Sequence, residues 1–60
     1  MKLIKYIVAK RISHYDEILY VFVSQQFRSF NTANEERIYL QPDFDELLVV
    51  IKQTSEVVYE

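Results

Sequence analysis

His14, Tyr15, Asp16 and Glu17 form the one cluster in this sequence whose residue types could do chemistry. A histidine beside carboxylates can hold a divalent metal or act as a general base near neutral pH. Either role needs groups converging on one point, and a short polar stretch with one His and two acids does not supply them. The plainer reading, a solvated loop, prevails. Asp43, Asp45 and Glu46 could be paired carboxylates for acid–base work. A helix start explains them better: Asp43 as N-cap, Glu46 reaching back, and both Asp45 and Glu46 at the positive end of the dipole. Ser13, Ser24, Ser29 and Ser55 share His14 as their one candidate base. A nucleophilic serine also needs a preorganised oxyanion pocket, for which so short a chain has little room. The sequence contains no Gly, so no glycine-rich phosphate loop can form. It yields no catalytic residue, no metal ligand and no cofactor, and an enzyme is not expected.

The elements that would position any site must come from 60 residues, half of them apolar, with five Tyr and four Phe. That is a single small α+β domain over residues 1–60. A domain of this length buries only about 60% of the surface of its unfolded chain. Its core rarely supplies more than about 3–5 kcal/mol. There is no Cys to form a disulfide or a Cys/His zinc site. Apolar residues in this number cannot all be buried in so small a body. The surplus points to self-association or to a partner.

The net charge of −2 argues against a simple polybasic nucleic-acid binder. Its distribution is uneven. Lys2, Lys5, Lys10, Arg11 and Arg28 outnumber Asp16 and Glu17 in the first half. Glu35, Glu36, Asp43, Asp45, Glu46, Glu56 and Glu60 outnumber Arg37 and Lys52 in the second. Solvated faces explain both sets, and an acidic face meeting a basic partner is the functional alternative. Lys5, Lys10 and Arg11 interrupt the N-terminal apolar stretch, which has no small-residue cleavage site of a signal peptide. The longest apolar run, residues 18–23, is far short of the roughly 18 residues of a membrane span. The expectation is an intact cytoplasmic protein that begins at its own Met.

Residues 2–12 alternate as a strand: Ile4, Tyr6 and Val8 point one way, Leu3, Ile7 and Ala9 the other. The β-branched and aromatic density of residues 18–27 predicts a second strand, paired with the first across His14 to Glu17. The alternative makes 14–30 helical, with Tyr15, Ile18, Leu19, Phe22, Val23, Phe27 and Phe30 on one face. Without Gly, the turns should be longer loops, with Asn31 or Asn34 taking any left-handed position. Residues 31–36 read as a polar loop and 37–41 as a short strand ended by Pro42. Phe44, Leu47, Leu48 and Ile51 recur at helical spacing and predict a helix over 44–53. Residues 56–60 return as a strand. The sum is a small, mostly antiparallel β-β-β-α-β sheet with one helix packed on one face. The alternative is β-α-β-α-β.

Such a sheet leaves its second face uncovered, and that is the basis for expecting a macromolecular partner. Tyr20, Phe30 and Tyr39 are the aromatics expected to be partly exposed. With Arg28, Glu35 and Glu36 they are the candidate partner-binding residues. Aromatic and Arg side chains are enriched at protein hot spots, and they also stack on single-stranded bases. The leading expectation is a small non-enzymatic regulator or inhibitor that binds a larger protein through its sheet face and acidic C-terminal half. The alternative is a dimeric nucleic-acid binder that uses the basic N-terminal half. It ranks lower, because phosphate neutralisation needs more bases than acids.

Overall fold

The computed structural model describes residues 2–56. They fold as β1 (Lys2–His14), β2 (Glu17–Phe27), α1 (Phe30–Leu40), a 3-10 turn (Gln41–Asp43) and β3 (Leu48–Glu56). The sheet is antiparallel, in the order β2-β1-β3, with α1 laid across it. This is the small α+β architecture that the sequence predicts: an antiparallel sheet with one helix on one face. Both predicted N-terminal strands form, and the alternative helix over 14–30 does not: β2 occupies Glu17–Phe27 and α1 begins only at Phe30. Among the described residues, no helix is long and apolar enough to cross a membrane.

The C-terminal half corrects the predicted order of elements. The polar loop over 31–36 and the strand over 37–41 are in fact the helix α1. Ala33, Glu35, Glu36, Arg37 and Leu40 are good helix formers, and no Gly or Pro interrupts them. Arg37 Nε donates to Asn34 Oδ1 at 2.8 Å, one turn apart, and its charge sits in the last turn, where the dipole favours it. Ala33 is the buried contact of the helix, and Phe30 packs edge-to-face on Tyr6 with ring centres 6.0 Å apart. So small an apolar stripe is invisible as a helical period.

The helix predicted over 44–53 is instead the strand β3, preceded by an irregular lead-in. Phe44, Leu47, Leu48 and Ile51 fit a period of 3.6, but a helix there would have turned Val49 and Val50 outward. As a strand, the segment puts Leu48 and Val50 on one face and Val49 and Ile51 on the other. Asp43 therefore caps no helix over 44–53; it lies exposed in the 3-10 turn. The strand predicted over 56–60 falls outside the described residues, apart from Glu56, which ends β3.

The turn between β1 and β2 is also tighter than expected. His14 pairs with Glu17, leaving Tyr15 and Asp16 as a two-residue turn. Tyr15, not Asn31 or Asn34, takes the left-handed position, with φ 55°. For a residue with a Cβ this costs about 1–2 kcal/mol.

Paired residues share a sheet face, so the register defines the layers. Tyr6 and Val8 of β1 lie with Leu48 and Val50 of β3 under α1. Val8 and Leu48 are the large side chains closed off from solvent, at 0% and 1% exposure. The β1–β2 register shifts once. Ile7 pairs with Gln26 and Ala9 with Phe22, so Val23, Ser24 and Gln25 oppose Val8 alone. A shift of two keeps each apolar residue on its original face. Ser24 fills the gap: its Oγ accepts from the Val8 N–H at 2.9 Å and donates to the Gln25 carbonyl at 2.8 Å. Ser24→Ala leaves that amide without its partner. The expected loss is about 1–2 kcal/mol, read in urea unfolding, with faster exchange of the Val8 amide. A loss near zero would mean that the bulge is held by other contacts.

Candidate protein-contact face

The face of the sheet away from α1 is built by the other half of the alternation. Ile7 and Ala9 run along its centre on β1. Phe22 of β2 and Val49 of β3 flank Ala9, and Ile51 stands beside Ile7. Tyr20 and Leu47 continue the two edges on either side of Arg11, where the Arg11 N–H donates to the Leu47 carbonyl at 2.9 Å. The short Ala9 side chain makes a shallow trough between Phe22 and Val49. Ile7 and Ala9 are buried although α1 lies over the opposite face. Part of that cover is the Gln26 side chain, whose Nε2 donates to Gln53 Oε1 at 3.1 Å across β1. Leu3, Ile18, Tyr20, Phe22 and Leu47 of this face are exposed, Phe22 by 51%. The charged residues whose register puts them here are Lys5 and Arg11.

The same face continues onto a hairpin arm. β3 ends opposite Lys10, with one further bond to Arg11, so β1 and β2 run on as a two-stranded ribbon to the turn at Tyr15. Ile18 and Tyr20 are exposed on one side of the ribbon, Leu19 and Val21 on the other. An isolated two-stranded hairpin is marginal in water. This one projects with apolar residues on both faces.

The six predicted contact residues do not gather at one place. Tyr20 lies on the open sheet face. Glu35, Glu36 and Tyr39 belong to α1, which covers the opposite face; Tyr39 is 76% exposed and Glu36 half-buried. Arg28 sits exposed in the link from β2 to α1. Phe30, half exposed at the start of α1, is anchored against Tyr6. The acidic residues of the second half thus lie mostly in the helix layer and its exit, away from the open face. The N-terminal bases divide as well: Lys5 and Arg11 fall on the open face, Lys2 and Lys10 on the other. Reasoning from sequence missed Ile18, Leu47, Val49 and Ile51. The usable signal was the continuous, β-branched apolar run Leu47-Leu48-Val49-Val50-Ile51, which suits a strand buried on both faces but fits a helix equally well.

The groups singled out for chemistry lie apart from this face. His14 to Glu17 is the exposed hairpin tip, where the His14 and Tyr15 rings meet edge-on at 4.4 Å. Among the described residues, no three of His, Asp and Glu gather closely enough to hold a metal ion. No protein-family model, curated protein or solved structure matches this chain.

Proposed function

We propose that this is a small regulatory or inhibitory protein, not an enzyme, that acts by binding other protein chains. The uncovered sheet face is its apolar contact surface, and the acidic outer side of α1 is its charged one. The observation that supports this is the row of exposed Ile18, Tyr20, Phe22 and Leu47 beside Val49 and Ile51, with no layer of the described residues above it. A sheet face of this kind is stable in water when something covers it. Aromatic anchors in such a patch hold a complex, while charge on another surface speeds and orients docking. Glu35 and Tyr39, one helical turn apart on α1 and both exposed, present that charge beside an aromatic.

The test is retention of proteins from host extract on the immobilised chain. A specific partner is expected, and retention should fall by roughly tenfold or more with Phe22→Asp, the scale of losing one anchor. Circular dichroism controls for folding. Retention that Phe22→Asp leaves untouched would remove the sheet face from the reading. Salt-sensitive retention of RNA or DNA instead would favour the nucleic-acid alternative.

A further inference from the structure

We infer that the open sheet face takes one amphipathic, acidic helix of a partner protein, laid along β1 with carboxylates at both ends. This rests on the reading of that face as a protein-contact surface, and it names the chemistry of what is contacted there. Charge points to it first, and dimensions second.

The register makes the face basic. Its charged strand residues are Lys5 and Arg11, on either side of Ile7 and Ala9. The acids of the strands, Glu17 and Glu56, pair with His14 and Lys2 on the side that α1 covers. No acid stands across from either cation: Lys5 is opposite Gln53, and Arg11 is opposite Tyr20. An occupant with carboxylates above these two positions is attracted, and one with cations there is repelled. The exposed Glu35 turns the same acidic segment away from the outer side of α1.

The size of the face selects a helix. From Lys5 to Arg11 along β1 is about 20 Å, at ~3.3 Å per residue. A helix of roughly 13 residues spans that length. The strands on either side of β1 are about 10 Å apart, close to the width of one helix. Its apolar stripe would lie over the trough at Ala9, against Phe22, Val49 and Ile51. α1, with 11 residues, already covers the opposite face. A nucleic-acid strand fits less well. It carries charge on every nucleotide, and between the two cations its phosphates would lie unneutralised over Ala9, Val49 and Ile51.

Fluorescence anisotropy tests this with a labelled peptide of about 16 residues, its leucines at helical spacing and Glu at both ends. The comparisons are the same peptide with Lys for Glu, a scrambled peptide of the same composition, and a single-stranded thymidine oligonucleotide. The Glu peptide should bind the native chain at least about tenfold tighter than the Lys or scrambled peptide. Phe22→Asp should weaken it by roughly tenfold or more. Lys5→Glu with Arg11→Glu should reverse the preference between the Glu and Lys peptides. Arg11→Glu alone, at an exposed position, should narrow that preference, and circular dichroism checks that each variant folds. The acidic helix is overturned if no peptide binds, if the Glu and Lys peptides bind equally, or if the preference survives charge reversal. Tighter binding of the oligonucleotide, or a dimer held through Phe22 in light scattering, overturns it as well. If it fails while retention of a host protein still falls with Phe22→Asp, the contact reading stands without this occupant. If Phe22→Asp leaves that retention untouched too, both fall.

Discussion

Leu48→Ala is expected to leave the chain largely unfolded at 25 °C, whereas Leu47→Ala, one residue away, keeps its fold. Leu48 is 1% exposed under α1, and Leu47 points to the open face. Truncating a buried Leu costs about 2–5 kcal/mol, the lost transfer energy plus the cavity left behind. The core of a domain this short supplies only about 3–5 kcal/mol, so one such cavity consumes most of the margin. Leu47 loses little by truncation in the monomer, because water already reaches it. Far-UV circular dichroism and urea unfolding of the two variants check this. Equal losses would mean that the alternation of β3 is misassigned, as would happen if 44–53 were helical and both leucines faced the core.

Gln41→Leu is expected to cost about 2–3 kcal/mol, although it replaces a polar side chain with an apolar one of similar size. Gln41 follows α1 and ties it to the start of β3. Its Oε1 accepts from the Leu48 N–H at 3.0 Å. Its Nε2 donates to the Glu46 carbonyl at 3.0 Å and, at 3.5 Å, to the Phe44 carbonyl. Leucine leaves the amide of a buried residue and a partly buried carbonyl without partners. Gln41→Glu keeps the acceptor for Leu48 but places a carboxylate against the Glu46 carbonyl, so its loss should be comparable or smaller. Amide exchange separates the two: Leu48 should lose protection in the Leu variant and retain most of it in the Glu variant. If both variants were as stable as the native chain, solvent would be satisfying these groups and the lead-in to β3 would be held by packing alone.

The first half of the fold was legible because its signals were local. Residues 2–12 alternate, and residues 18–27 are dense in β-branched and aromatic side chains, so each segment favours a pleated surface by itself. The second half was not, for two physical reasons. Leu47 to Ile51 is apolar on both faces, and such a run fits either period. The helix that does form has Ala33 as its buried residue, with Ile38 and Tyr39 facing outward, so it lacks an apolar stripe. Its position comes from α1 closing over Val8 and Leu48. The tight turn was misjudged because the rule that such turns need Gly is a preference. Tyr15 occupies the left-handed position because pairing along β1 and β2 outweighs its strain.

For the contact surface, composition alone announced that apolar side chains would remain outside, and Tyr20 was correctly expected to be exposed. What joined Tyr20 to Phe22, Val49 and Ile51 was the register of three strands. That is information about residues some thirty positions apart, which no local window contains. The amino-acid sequence by itself determined that this would be a small α+β sheet protein with more apolar surface than it can bury. The tertiary structure decided which segment became the covering helix, and so which face stayed bare. The reason is that β1, paired with β2 along one edge, has backbone N–H and C=O groups along the other that a third strand must satisfy. The segment after Pro42 meets that need, leaving the one before it to form the cover.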